Sequence, residues 1–185
     1  EATEAMSDAF GACTGVPWRP ADYPNTAIAV VSWEDVLDAL RGMDLREWRV
    51  DIVGEGPYRV ELEQKIAANN LSATVRLLGW IENSSMQMKE MYGKAGIFIS
   101  ASYFESFGLT VLEALSAGCY PLISDIGGHR FIINDDRFFF QKENIEDLRK
   151  KLNYLIKHKI VDFKINIKHF SWSNVIKDYI SLLEN

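Results

Sequence analysis

Residues 96–118 read GIFISASYFESFGLTVLEALSAG, and this stretch decides the predicted fold. The run at 96–100 is short and apolar, as expected for a strand that is buried on both faces of a sheet. A loop without helical periodicity follows Ser100. From Leu109 the apolar residues recur at helical spacing, and Gly118 is a typical C-terminal stop. The stretch therefore predicts a buried strand, a loop and a helix.

Strand-like and helix-like patterns alternate on both sides of this stretch. Further β-type runs are predicted at 27–31, 49–53, 74–78, 121–124 and 138–140. Helical patterns lie between them, at 34–42, 58–69, 86–92, 109–117, 128–133 and 145–157, and a last helix is predicted near 173–183. Such alternation implies right-handed crossovers between parallel strands. We therefore predict an α/β fold: a doubly wound, Rossmann-like parallel sheet of about six strands with helices on both faces.

The chain has 185 residues, a length that suits one domain. Residues 1–25 are predicted to form an irregular N-terminal arm, because three prolines within eight residues disfavour regular structure. Residues 26–185 are predicted to form the single domain. Residues 1–64 contain no lysine, whereas eleven lysines and four arginines follow. This shift leaves two origins open for residues 26–48: a divergent part of the domain or a foreign segment.

Composition and charge argue against several classes of function. The formal net charge of −6 argues against nucleic-acid binding, which usually needs a basic surface. The sequence has no apolar run of 18 residues, so we predict no membrane span. Cys13 and Cys119 lie far apart and lack the spacing of metal ligands. We expect two free thiols in a reducing, cytoplasmic compartment and no metal site.

The loop after the strand at 97–100 carries the strongest candidate site, because ligands of doubly wound sheets bind outside the carboxyl ends of the strands. The amides at 107–109 lie where the next helix begins and can converge on a phosphate. Either glutamate of this segment alone is most often solvated. Their joint position at the ligand edge favours a site for a sugar, a diphosphate and a ribose. Its residues are Glu105, Ser106, Phe107, Gly108, Leu109 and Glu113.

Two other loops follow predicted strands. Gly54 and Gly56 permit a tight turn and a close approach to an anion. Arg59 stands where a dinucleotide site needs a third glycine, which argues against NAD and favours a turn without a ligand. In the next loop, Trp80 and Ile81 either form a slot for a flat base or cap the core.

His129 follows the Gly127-Gly128 pair after the strand at 121–124. A turn of this kind at the start of a helix aims the next residues at the same edge of the sheet as the other loops. Two interpretations stay open for His129: contact with the donor, or a solvated position at the start of the helix.

Four motifs in this order resemble those of the C-terminal, donor-binding domain of retaining glycosyltransferases with the GT-B fold. They are GEGP at 54–57, LGW at 78–80, ESFGLTVLEALSAG at 105–118 and SDIGG at 124–128. The resemblance covers residues 49–183. The two glutamates seven residues apart, with FGL between them, are its most specific element.

The resemblance implies a role for each motif. Glu105 would contact the donor sugar as the catalytic residue, and Glu113 the ribose. The backbone at 107–109 would hold the phosphates, and Trp80 and Ile81 would border the base. The substrate would be a nucleotide-diphosphate sugar such as a UDP- or GDP-sugar, without a cofactor or metal, and transfer of a hexosyl group would retain the anomeric configuration.

The chain also departs from the family pattern. Family members carry a Gly-Arg pair and a later Lys-Gly pair that grip the diphosphate, but here residues 32–35 read Ser-Trp-Glu-Asp. The N-terminal acceptor domain, a partner in the full enzyme, is missing, so the resemblance implies that this chain alone does not turn over. Without the acceptor domain, the surface that would contact it is exposed, and exposed apolar surface favours self-association. The full enzyme would be cytoplasmic or at the cytoplasmic membrane face. The alternative hypothesis is a composite or engineered scaffold without activity.

Overall fold

The computed structural model describes residues 25–30, 33–158, 163–171 and 174. The predicted arm before residue 25 and nearly all of the predicted last helix lie outside the described residues. The described part alternates parallel strands with helices, which confirms the α/β prediction.

The strands form one parallel sheet in the order β3-β2-β1-β4-β5-β6 within the described residues. The first three are β1 (Asn25–Val30), β2 (Trp48–Val53) and β3 (Val75–Gly79). The others are β4 (Ile97–Ser100), β5 (Tyr120–Ser124) and β6 (Phe139–Phe140), of which β6 has only two residues. This order is that of dinucleotide-binding folds and places the topological switch point between β1 and β4.

The helices lie close to their predicted positions. They are α1 (Trp33–Leu40), α2 (Arg59–Ala68), α3 (Met86–Lys94), α4 (Leu109–Ser116), α5 (Gly127–Ile132) and α6 (Ile145–Lys157). Helix α1 ends two residues before its predicted end, because Gly42 adopts a left-handed φ of 74° that a helix does not continue.

Two apolar clusters sandwich the sheet. Successive side chains of a strand point to opposite faces, and in β4 Ile97 and Ile99 lie in one cluster whereas Phe98 lies in the other. The first cluster includes Leu37 of α1, Leu62 of α2 and Leu152 of α6. The second includes Tyr92 of α3, Ala114 of α4 and Ile132 of α5. The sheet is therefore covered by helices on both faces.

The segment with the unusual composition completes the centre of the sheet. Strand β1 pairs with β2 on one side and with β4 on the other. In α1, Val36, Leu37 and Leu40 are fully buried in the first cluster. Strand β1 therefore lies at the centre of the sheet, and α1 contributes to the first cluster.

Cys119, the one described cysteine, forms no disulfide within the described residues and is fully buried. Burial raises the pKa of its thiol to about 12, so it packs as a small apolar residue rather than as a nucleophile. None of the helices in the described ranges has the length and hydrophobicity that crossing a bilayer requires.

Candidate functional site

The loop between β4 and α4 ends in a glycine that adopts a left-handed conformation at the N-terminus of the helix. Gly108 has a left-handed φ of 85° and precedes α4, and no side chain among the described residues caps this helix. The amides of the first two residues of α4 have no partners within the helix, whereas the Val111 amide donates to the Gly108 carbonyl, so the first two can receive an anion. A Cβ on Gly108 would lie 3.3 Å from Ile132 Cδ1 and 3.4 Å from His129 Cδ2. The left-handed conformation therefore favours glycine, and a Cβ would also be tight against these two side chains.

A second glycine brings the β5–α5 turn against this loop. A Cβ on Gly128 would lie 2.3 Å from the carbonyl oxygen of Glu105. No side chain fits at that distance, so the backbones of the two turns are in direct contact. Helix α5 therefore packs against the loop that carries Glu105 and supports it.

A buried chain of serines holds Glu105. Ser102 donates from Oγ to Glu105 Oε1 at 2.9 Å, and its own Oγ lies 3.2 Å from Ser100 Oγ. Ser124 Oγ donates to the Ser102 carbonyl at 2.6 Å. All three serines are almost fully buried, whereas Glu105 is partly exposed. The structure therefore fixes one carboxylate oxygen of Glu105 from inside the protein.

His129 lies inside the protein and not on the exposed edge of the sheet. Its side chain is fully buried, and Nδ1 donates to the Ser124 carbonyl at 2.8 Å. Because Nδ1 carries this proton, Nε2 of the neutral ring is an acceptor, and Ser100 Oγ lies 3.5 Å from it. Burial lowers the pKa of His129, although the Ser124 carbonyl and the charge of Glu105 act in the opposite direction. The solvated position does not fit this burial, and contact with the donor stays a prediction.

We expect His129 to make the folded state sensitive to acid. A buried neutral histidine resists protonation, whereas the unfolded chain takes up the proton near pH 6.5. The stabilising effect is complete above that pH and is lost as the pH falls toward the lower folded-state pKa. One proton gives a slope of at most about 1.4 kcal/mol per pH unit. Urea unfolding between pH 7.5 and pH 5 should therefore show a smaller pH dependence for His129→Asn, which keeps a donor for the Ser124 carbonyl.

The matched control is His158→Asn, which changes an exposed histidine at the end of α6. Its slope, measured under the same conditions, is the reference for a histidine substitution that leaves His129 in place. Equal slopes for His129→Asn and the unmodified chain would show that His129 does not contribute the expected effect.

Glu113 lies one turn into α4 and is only 9% exposed. The Tyr92 hydroxyl of α3 donates to Glu113 Oε2 at 3.1 Å. Burial raises the pKa of Glu113, and the bond from Tyr92 lowers it. A carboxylate in this position is costly unless it is hydrogen-bonded. The helix therefore presents a largely buried acceptor beside the open amides.

The turns after β2 and β3 are joined to each other. The Gly54 amide donates to the Gly79 carbonyl at 2.8 Å, so that amide is occupied within the protein. Arg59 pairs with Glu55 at 2.9 Å and with Glu63 at 3.0 Å. The guanidinium of Arg59 is therefore paired within this turn. A Cβ added at Gly56 would have no described atom within 4 Å.

The two candidates for a base slot have different environments. Trp80 is 69% exposed, whereas Ile81 is 8% exposed and belongs to the second apolar cluster. The structure thus leaves the tryptophan ring accessible and makes Ile81 a core residue.

The other residues of the predicted phosphate loop are unevenly exposed. Ser106 and Leu109 are exposed, whereas Phe107 is partly buried. The Phe107 ring packs against Phe131 and Phe170 at centroid distances of 5.7 and 5.5 Å. Phe107 therefore anchors the loop through its side chain, and only its backbone is placed to serve a ligand.

Acidic groups accompany this edge of the sheet. The Tyr103 hydroxyl donates to Asp35 of α1 at 2.6 Å, which raises the pKa of Tyr103 to about 12. Arg130 follows His129 but pairs with Asp125 and Asp136 at 2.6 Å each. In the described ranges no group of three or more His, Cys, Asp or Glu residues is arranged to hold a metal.

The serines and Tyr92 are the part of the site that sequence patterns did not reveal. Ser100 and Ser124 both end strands, and two such serines beside a glutamate-bearing loop are a signal that could have suggested a buried polar network. Tyr92 carries no such signal, because it occupies an ordinary apolar position of α3.

Sequence comparisons identify the family of the chain. The profile of the family described as "Glycosyl transferases group 1" matches residues 31–169. The chain is 31% identical over 148 residues to a sulfoquinovosyl transferase of Arabidopsis thaliana, covering 77% of this chain and 28% of that protein. It is 30% identical over 155 residues to the poly(glycerol-phosphate) alpha-glucosyltransferase of Bacillus subtilis, covering 82% of this chain and 22% of that protein. The chain thus spans about a quarter of the length of these relatives.

Solved structures agree on the fold. A lipopolysaccharide outer core galactosyltransferase in its apo form superposes with a TM-score of 0.75 at 21% identity, covering 90% of this chain and 51% of that chain. The pneumococcal O-GlcNAc transferase in complex with UDP and GlcNAc superposes with a TM-score of 0.63 at 20% identity, covering 87% of this chain and 35% of that chain. Together with the family match, these similarities show that the chain belongs to the group 1 glycosyl transferases, a retaining family of the GT-B fold, and corresponds to their C-terminal domain.

Proposed function

We propose that this domain binds a nucleotide-diphosphate sugar at the carboxyl edge of its sheet. The observation that supports this most strongly is the pair of glutamates held on either side of the uncapped start of α4. One carboxylate is fixed by Ser102 and the other by Tyr92. The amides between them suit a diphosphate, and the carboxylates suit the hydroxyls of two sugars. The relative solved with UDP and GlcNAc is consistent with this class of ligand.

Each predicted site residue then has a proposed place. Glu105 contacts the transferred sugar as the catalytic residue, and Glu113 contacts the ribose. The backbone at 107–109 receives the phosphates, with Ser106 at their side, and Trp80 borders the base. The other predicted residues shape the edge. Gly54 and Gly56 do so through their backbone, and the side chains of Ile81 and His129 do so from inside the protein.

The full reaction needs more than this domain. The chain spans 28% and 22% of two curated relatives, and transfer to an acceptor hydroxyl requires a cleft that a second domain closes. We propose that the isolated chain binds the donor but does not transfer the hexosyl group. Sugar transfer by the isolated chain would contradict this proposal.

Titration with UDP, GDP and ADP by calorimetry tests the binding site. Glu113→Ala is expected to weaken binding of the preferred nucleotide about tenfold, because hydrogen bonds to a charged group are lost. Glu61→Ala, an exposed glutamate on α2, is the matched control and should leave affinity unchanged. Equal affinities of the Glu113→Ala variant and the unmodified chain would contradict the assignment of Glu113.

A second candidate function is a scaffold without ligand binding. The observation that favours it is the charge at the edge: Arg59 and Arg130 are paired with carboxylates. The resemblance to the family also implies a Gly-Arg pair in the segment where Glu34 and Asp35 stand. The negative charges of carboxylates repel the negative charges of a diphosphate. No binding at millimolar nucleotide would favour the scaffold over the donor site.

A further inference from the structure

Glu113 has one carboxylate oxygen that the protein uses and one that it does not. Oε2 accepts the bond from Tyr92 at 3.1 Å. Oε1 has no hydrogen-bond partner among the residues that the structure describes, although the side chain is only 9% exposed. Buried polar atoms are normally satisfied, and one that is not calls for an explanation. A ligand hydroxyl that donates to Oε1 would supply it.

Tyr92 is held in a fixed orientation by its surroundings. It is 2% exposed, and its ring packs against Phe98 at a centroid distance of 6.2 Å. Its carbonyl accepts from Cys119 Sγ at 3.2 Å, which ties this end of α3 to the start of β5. A ring enclosed in this way has little rotational freedom, so the direction of its hydroxyl is set by the core.

The chemistry of the pair makes Tyr92 a permanent donor. Burial and the neighbouring Glu113 carboxylate both raise the pKa of the Tyr92 hydroxyl, so it keeps its proton at neutral pH. Its bond to Oε2 favours the charged form of Glu113 against the effect of burial. Fixing one oxygen also fixes the direction of the other, because the carboxylate is planar.

We propose that Tyr92 is the positioning residue that orients Glu113, so that Oε1 accepts a hydrogen bond from a ribose hydroxyl of the nucleotide. This inference rests on the proposed donor site. It assigns recognition of the ribose to a pair of side chains from α3 and α4. A purely structural pair would leave Oε1 without a hydrogen-bond partner among the described residues in a largely buried side chain.

Tyr92→Phe tests this inference when UDP is compared with its 2′,3′-dideoxyribose analogue. The variant removes one hydroxyl and keeps the ring. We expect it to weaken UDP binding about tenfold, the effect of a hydrogen bond to a charged group. Affinity for the dideoxy analogue should change less than about twofold, because that ligand cannot donate to Glu113. Calorimetric titration of both ligands gives this ratio.

Tyr120→Phe is the matched control. Tyr120 packs against the same apolar cluster, but its hydroxyl donates to the Arg137 carbonyl at 3.0 Å. This variant should leave both affinities unchanged. An equal loss for UDP and the analogue with Tyr92→Phe would show that the residue only supports packing, and it would overturn the positioning role while nucleotide binding stands.

A measurement without ligand separates the two proposals. Carbon-13 NMR of the labelled Glu113 carboxyl should give a higher pKa in Tyr92→Phe than in the unmodified chain, because the bond that lowers it is gone. An unchanged pKa would overturn the orienting contact itself. If the pKa rises but the unmodified chain binds no nucleotide at millimolar concentration, the donor site and the ribose assignment both fall, and only the contact remains.

Discussion

Replacing Gly128 with alanine is expected to lower the free energy of unfolding by about 3 kcal/mol, at the upper end of the range for overpacking. The new methyl group would lie 2.3 Å from the Glu105 carbonyl oxygen and 2.9 Å from its carbonyl carbon. Both are backbone atoms, which cannot rotate away as a side chain can. Either α5 or the loop must move, and Glu105 moves with the loop. Guanidinium unfolding measures the loss, and nucleotide titration measures its effect on the site.

Gly127→Ala is the internal control for this prediction. Gly127 begins the same helix, and no described atom lies within 4 Å of the position of its Cβ. Alanine has a higher helix propensity than glycine by up to about 1 kcal/mol, so this variant should be neutral or slightly more stable. Of the two neighbouring substitutions, only Gly128→Ala should therefore lower stability. Similar small effects at both positions would show that the two turns are not in contact.

Arg149→Ala is expected to cost about 2 kcal/mol of folding free energy, because hydrogen bonds from a charged group are lost. Arg149 of α6 donates from Nε to the Ala39 carbonyl at 3.0 Å and from Nη2 to the Asp38 carbonyl at 2.5 Å. These carbonyls lie in the last turn of α1, where helices leave acceptors without partners. The arginine therefore caps one helix from another and ties residues 33–40 to the C-terminal half of the domain.

Two further variants make this prediction specific. Lys150→Ala changes an exposed cation at the next position of α6 and should be nearly neutral. Arg149→Lys keeps the charge but not the planar fork that reaches two carbonyls, so it should restore less than half of the loss. Thermal unfolding of the three variants measures these differences. Full recovery with lysine would indicate that charge alone, rather than the pair of hydrogen bonds, stabilises α1.

Local sequence patterns predicted most of the fold. The apolar run at 97–100 and the helical spacing from Leu109 predicted β4 and α4 with their starting residues, because burial on both faces and helical periodicity leave direct marks in a sequence. The ends of helices were harder. Helix α2 starts at Arg59, one residue later than predicted, and Tyr58 precedes it without a side-chain cap among the described residues. Helix boundaries without capping side chains have no strong sequence signal.

The candidate site was predictable in position but not in contacts. Ligands of doubly wound sheets bind at the carboxyl edge, so strand order and loop positions led to Glu105 and Glu113. The environment of His129 was not predictable in this way. A histidine after two glycines reads as exposed, yet the crossing of α5 over the ends of β4 and β5 buries it between Ser100 and Ser124.

The sequence by itself determined the alternation of strands and helices, the edge of the sheet at which we propose that a ligand binds and the two glutamates beside an open helix start. Only the tertiary structure decided what holds those glutamates and which charges are already paired. Tyr92 and Glu113 are 21 positions apart, and Ser100 and His129 are 29 apart. Such partners meet because crossovers return the chain to neighbouring strands, and a local pattern of residues contains no record of which side chains then face each other.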